Sequence, residues 1–167
     1  MAETQLQQRG QQWLETFLKL AAFPATVSAE IRNTSAEKSC WLTIDHTSLQ
    51  PAQIEALLGN NGAVLDSIQY LASSILNIGQ DEQIAYTIEI DGYRARRLAE
   101  LTAIAEDAAA RVRETGEEYE IKSLSSAERR QVHSILQDSG DIETFSRGQE
   151  PDRRLVVKLA QPDQEEP

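Results

Sequence analysis

The chain has 167 residues, 40% of them apolar, enough for one ordinary domain or two small ones; a chain disordered throughout is excluded. A formal net charge of −11 excludes a uniformly basic polyanion binder, and a single cysteine, Cys40, excludes an internal disulfide and a cysteine-rich zinc site. No apolar run approaches the roughly 20 residues of a membrane helix, and the polar start Met1–Gln12 does not read as a secretion signal. The expectation is therefore a cytoplasmic protein without membrane contact, metal or other cofactor. The charge is uneven: 12 of the 16 lysines and arginines fall in residues 91–160, so any phosphate-binding surface is local.

In chain order, Trp13, Leu14, Phe17, Leu18 and Ala21 recur at helical spacing and predict an amphipathic helix over residues 5–22, stopped by Pro24. Ala25, Val27, Ala29 and Ile31 alternate with polar residues and predict a half-buried strand. Asn33-Thr34-Ser35 reads as a turn. Cys40, Leu42 and Ile44 then alternate in a second strand, which the short connection makes antiparallel to the first. Pro51 opens a short helix ending at Gly59. A longer one runs from Ala63 to about Asn77, with Leu65, Ile68, Leu71, Ala72, Ile75 and Leu76 as its buried stripe and Gly79 closing it. Ile84, Tyr86, Ile88 and Ile90 alternate as a third strand, ended by Asp91-Gly92. Tyr93–Thr115 reads as a long helix with Leu98, Leu101, Ala105, Ala108 and Val112 inward. A short strand is expected over Glu118–Leu124. Ser125-x-x-Glu128 is a capping box that starts a helix to about Gln137. Ile142–Phe145 and Leu155–Leu159 are two further strands, and Gln161–Pro167 an unstructured acidic tail.

Two stretches carry chemistry. In Leu58-Gly59-Asn60-Asn61-Gly62-Ala63 the glycines adopt positive φ without cost and asparagine tolerates it. Opening into a helix, this loop aims backbone N–H groups and the positive end of the helix dipole at an anion. The order helix, strand, strand, helix, G-x-x-G, helix, strand is that of a type II KH domain, where the loop clamps a nucleic-acid backbone. Ile54, Leu58, Val64 and the strand over 84–90 are then groove candidates. The second stretch is the helix after Ser125. Arg129 and His133, four apart, share a face, Arg130 lies further toward solvent, and Val132, Ile135 and Leu136 face inward. Arginine offers a planar, permanently charged fork to phosphate, and histidine can donate to phosphate or stack on a base.

Arg129-Arg130-Gln131-Val132-His133 resembles the motif of the R-x-x-x-H single-stranded nucleic-acid-binding domain. The segment from Thr144-Phe145-Ser146-Arg147-Gly148 through Asp152-Arg153-Arg154-Leu155-Val156-Val157 resembles that domain's closing strand pair. Leu65-Asp66-Ser67-Ile68-Gln69-Tyr70-Leu71 is similar to the helix after the glycine loop in bacterial Jag/KhpB proteins, and Asp91-Gly92-Tyr93-Arg94-Ala95-Arg96-Arg97 to their junction between domains. The resemblance covers about residues 25–160. It implies an α+β chain in three parts: a type II KH domain over 1–91, a small α/β R-x-x-x-H domain over 92–160 with a three-stranded sheet and two helices, and a disordered acidic tail over 161–167.

For function, the resemblance implies a bacterial single-stranded RNA-binding protein, an RNA chaperone or post-transcriptional regulator without catalytic activity. Single-stranded DNA is the alternative ligand and a small KH-domain protein the expected partner. The site residues are Gly59, Asn60, Asn61 and Gly62 in the loop and Arg129, Arg130, His133, Arg153 and Arg154 in the second domain. Tyr70, Tyr93 and Phe145 are candidate stacking platforms. The family's loop usually carries a lysine or arginine between its glycines, whereas this chain has Asn60 and Asn61, which keeps the backbone donors and removes the cation. That departure, with the acidic charge, supports the alternative function, an adaptor that acts through its KH partner.

Overall fold

The computed structural model describes residues 2–33 and 38–160. The predicted turn at Thr34-Ser35 and the predicted tail lie outside the described residues. The chain divides into two compact units, Met1–Ala95 and Arg96–Pro167.

In the first unit the elements run α1 (Ala2–Leu20), β1 (Val27–Asn33), β2 (Lys38–Ile44), α2 (Pro51–Leu58), α3 (Ala63–Leu76) and β3 (Ala85–Ile90). The sheet order is β1-β2-β3. β1 and β2 are antiparallel, with Val27 opposite Ile44. The crossover through α2 and α3 returns the chain parallel to β2, with Ile44 opposite Ile90. The period-two alternation puts Cys40, Leu42, Ile44, Tyr86, Ile88 and Ile90 on one face, where Leu14 and Leu18 of α1 and Leu65, Ile68, Ala72 and Leu76 of α3 cover them. Burial pushes the Cys40 thiol up to about 11, so it packs as a small apolar group. On the strands' other face Arg32 lies over Trp41, 3.8 Å from the ring centre.

Three expectations need correction here. α1 begins at Ala2 rather than residue 5 and ends at Leu20, because Ala22 takes a positive φ of 64°. Ala21 is therefore exposed beyond the helix end. Leu71 and Ile75 are not core residues; they remain 43% and 44% exposed. The sheet accepts a narrow stripe of α3, and these two side chains fall at its margin, beside Trp13, Phe17 and Leu20 of α1.

The second unit is built from α4 (Tyr93–Thr115, its first three residues counted with the first unit), β4 (Tyr119–Ile121), α5 (Ser126–Gln137), β5 (Ile142–Arg147) and β6 (Arg154–Leu159). The sheet order is β4-β6-β5, antiparallel throughout, with Tyr119 and Thr144 both opposite Val157. Leu101, Ala105, Ala108 and Val112 of α4 and Val132 and Leu136 of α5 pack on Ile121, Ile142, Leu155 and Val157. Alanines at three- and four-residue spacing let α4 approach the sheet closely. Leu98, expected in that stripe, is 48% exposed, because the buried stripe starts one turn later at Leu101. β4 is shorter than predicted and β5 extends two residues further, to Arg147.

The α5 capping box forms as predicted: Ser125 Oγ accepts from the Glu128 N–H at 3.2 Å, and Glu128 Oε2 from the Ser125 N–H at 2.8 Å. The other Glu128 oxygen accepts from Arg97 Nε at 2.7 Å, which ties α4 to the start of α5. Arg113 forks onto Asp141 with bonds of 2.6 and 2.9 Å, and this holds the Asp141 carboxyl below its ordinary 3.8. Arg147 and Arg154 hold Glu118 and Glu120 low in the same way.

Leu42→Ala empties a site walled by α1 and the sheet and is expected to cost about 3 kcal/mol in denaturant unfolding. The lowered carboxylates contribute stability that is complete above their unfolded values and is lost as pH falls through the folded ones. The urea midpoint is therefore expected to drop between about pH 5 and about pH 3, and to drop less in Asp141→Asn than in the natural chain.

Candidate functional site

In the first unit the G-x-x-G loop is held by its backbone. Gly59 (φ 67°), Asn61 (φ 51°) and Gly62 (φ 78°) all lie at positive φ. A Cβ at Gly59 would overlap Val64, and one at Gly62 would overlap the Tyr93 hydroxyl, so conformation and space both require glycine. Gly62 is the N-cap of α3 and makes no side-chain cap bond, which leaves the first-turn N–H groups for an outside acceptor. Asn60 and Asn61 are exposed.

Beside this loop Arg94 is firmly engaged. It bonds Asp66 Oδ1 in the first turn of α3 at 2.6 Å, Gln69 Oε1 at 3.1 Å and the Ile88 carbonyl at 3.1 Å. Gln69 in turn accepts the Ile88 N–H at 2.9 Å, so the unit's own side chains occupy the outer edge of β3 at Ile88. Of the expected groove, Ile54 and Leu58 pack partly into the core, Ile84, Tyr86, Ile88 and Ile90 are buried, and Val64 is exposed. Tyr70 is largely exposed and Tyr93 half-buried against Gly62.

In the second unit a shallow depression of about 430 Å³ runs between α5, β5 and the β5–β6 connection. Arg129, Arg130, His133 and Arg153 line it together, with Thr144, Phe145, Ser146 and Glu150. Arg130, His133 and Arg153 are exposed, while Arg129 is only 5% exposed. Arg129 Nη1 donates to the Leu124 carbonyl at 2.8 Å and the Arg153 carbonyl at 3.3 Å, and Nη2 pairs with Glu150. One guanidinium thus joins the residue before the capping box to both ends of the 150–153 turn, and holds Arg130 and Arg153 on opposite rims. His133 Nδ1 is hydrogen-bonded to Thr144 Oγ1, which links α5 to β5.

Arg154 stands apart from this group: it is half-buried on β6 and paired with Glu120 at 2.7 Å. Phe145 lies at the rim, flanked on the open sheet face by Arg147 at 5.4 Å and Lys158 at 5.7 Å. Sequence reasoning missed Thr144, Ser146 and Glu150 as lining residues. Nothing local marks Glu150; Thr144 and Ser146 could have been found from the strand register opposite Val157 and Leu155. Among the described residues no three His, Cys, Asp or Glu side chains gather to hold a metal, and no helix is long and apolar enough to cross a membrane.

The helix-on-sheet unit with this depression is an R-x-x-x-H domain: residues 99–159 match the family of that domain. Over 154 residues the chain is 29% identical to the RNA-binding protein KhpB of Clostridium symbiosum, spanning 92% of this chain and 66% of that protein. It is 32% identical over 103 residues to RNA-binding protein KhpB of Lactiplantibacillus plantarum, spanning 62% of this chain and 32% of that protein, and 27% identical over 103 residues to the Bacillus subtilis protein of the same name, covering half of its length. The chain thus belongs to the Jag/KhpB family and spans from about a third to about two thirds of the length of these curated relatives.

Arg129→Ala strands two carbonyls and Glu150 and is expected to cost about 3 kcal/mol of stability. Arg130→Ala, exposed on the same helix, is expected to stay within about 0.5 kcal/mol of the natural chain. Thermal unfolding of the two variants side by side checks this.

Proposed function

We propose that this chain binds single-stranded RNA, with the cleft of the R-x-x-x-H domain as its principal contact. The observation that carries the reading is the convergence of Arg130, Arg153 and His133 around one depression, two permanent cations and an imidazole within reach of one sugar–phosphate segment. The relatives' shared name, RNA-binding protein, supports the choice of nucleic acid. Arg130 and Arg153 meet phosphates, His133 donates to a phosphate or stacks, and Arg129 acts as a positioning residue that holds the turn in place. Phe145 offers a stacking surface at the rim. Arg154, tied to Glu120, adds to the local potential. Single-stranded DNA is the competing ligand.

The first unit, about residues 1–91, acts as a type II KH module that lays Gly59, Asn60, Asn61 and Gly62 against the RNA backbone through N–H donors alone. The element order, the parallel β2–β3 pair and the uncapped start of α3 support that reading. The protein works without catalysis in the cytoplasm, as an RNA chaperone or post-transcriptional regulator, together with a small KH-domain protein. A second reading is favoured by one specific observation. Arg94, the cation bonded to the first turn of α3, is tied to Asp66, and the loop itself has no charge to replace it. In that reading the KH module has become an adaptor for its protein partner, and the partner, rather than RNA, co-purifies on size exclusion.

The combined variant Arg130→Ala with Arg153→Ala is expected to weaken binding of a labelled RNA decamer more than about tenfold, on the order of 1.4 kcal/mol. It should also flatten the slope of log affinity against log salt by about 1.4, two single-strand phosphate contacts. Fluorescence anisotropy reads both. Unchanged affinity and slope in the double variant would remove the cleft from the binding surface.

A further inference from the structure

Three consecutive residues of β5, Thr144, Phe145 and Ser146, line the depression. Successive side chains of a strand point to opposite faces of the sheet. A surface that touches all three therefore runs along the strand's edge, not over either face. β5 is the outer strand in the order β4-β6-β5, so among the described residues this edge has no neighbouring strand.

The ladder determines which backbone groups the edge presents. The Ala160 N–H donates to the Asp141 carbonyl at 2.8 Å. The register of β5 on β6, extended by one position, sets these two residues directly opposite each other, so theirs is a hydrogen-bonded pair. Such pairs alternate along an antiparallel ladder. Glu143, Phe145 and Arg147 then bond to β6, while Ile142, Thr144 and Ser146 turn their N–H and C=O groups away from the sheet. The Ile142 N–H is taken by the Ser139 carbonyl at 3.0 Å. Among the described residues none donates to or accepts from the backbone of Thr144 or Ser146. The contrast with β3 is direct, since there Gln69 and Arg94 fill the outward groups of Ile88.

We propose that the open edge of β5 is a base-reading subsite, in which the outward N–H and C=O of Thr144 and Ser146 pair with the donor and acceptor edge of a nucleobase. The inference rests on the RNA-binding reading of the cleft and adds to it a source of base preference. Two observations select a base over an extended peptide as the occupant. The edge lies between two exposed cations, Arg130 and Arg153, which suits a ligand with a phosphate on either side of each base. It is also short: the Ser139 carbonyl closes it below Thr144, and β5 ends at Arg147, ahead of Gly148 at φ 87°. Two outward residues suffice for one or two bases but not for a typical added strand of about five or six residues. Unlike a phosphate contact, a backbone pair discriminates, because each base presents its donors and acceptors in a different order.

The test uses the full ¹⁵N-labelled chain with decamers of U, A and C. Saturation with the tightest decamer is expected to slow amide exchange at Thr144 and Ser146 by at least about threefold, as a new hydrogen bond would, and to leave Phe145 and Arg147 unchanged. Ser146→Pro removes one outward N–H and keeps the ladder; it is expected to weaken the tightest decamer by about fivefold, the size of one hydrogen bond, and to leave the weakest decamer as it was. RNA that saturates the protein without protecting those two amides would overturn the subsite, even if the proline variant failed to fold. A natively folded Ser146→Pro with the original base preference would overturn it too. Protection of the same amides by a ten-residue Thr-Val repeat peptide, and not by RNA, would replace the subsite with strand addition. If no decamer binds at all, the RNA-binding reading falls and takes the subsite with it.

Discussion

The guanidinium of Arg129 is the constraint on which the second unit's site depends. Burying a charge is costly unless its donors are matched, and here they are spread over the Leu124 carbonyl, the Arg153 carbonyl and Glu150. The residue thereby fixes three separate pieces of chain: the approach to α5, the return into β6 and the turn between the last two strands. Arg130 and Arg153 owe their common orientation to it. The arginine of the R-x-x-x-H motif works from below the surface, and its neighbour in sequence and its partner across the turn present the charge to solvent.

The two units handle their exposed polar groups in opposite ways. In the first, Asp66, Gln69 and Arg94 close the free edge of β3 and neutralise the cation next to the glycine loop. In the second, the edge of β5 stays open beside unmatched arginines. This division fits the charge distribution, in which three quarters of the basic residues lie beyond residue 90. A chain of net charge −11 can hold a polyanion only where cations are gathered and desolvated together, and the cleft is such a place.

The parts legible in the sequence were those set by local physics. Strand alternation at Cys40–Ile44 and Ile84–Ile90, Pro51 at a helix start and the Ser125–Glu128 capping box each involve residues within a few positions of one another. The helix stripes were legible in direction but not in width. Periodicity names the face of α3 that turns inward, yet only the sheet beneath decides that Leu71 and Ile75 fall outside the covered zone. The burial of Arg129 was out of reach for the same reason: its acceptors at 150 and 153 lie more than twenty residues away, and no spacing in the sequence links them. Arg154 looked equivalent to Arg153, but adjacent residues entering a strand point to opposite sides, and Arg154 turns to Glu120.

The most direct measurement is the anisotropy of a labelled, unstructured RNA of about ten nucleotides titrated with the natural chain at two salt concentrations. Saturable binding that weakens with salt, with a slope corresponding to two or three phosphates, is the result this account predicts. Absence of binding at tens of micromolar protein, with a small KH-domain protein co-eluting instead, would contradict it and leave the chain as an adaptor.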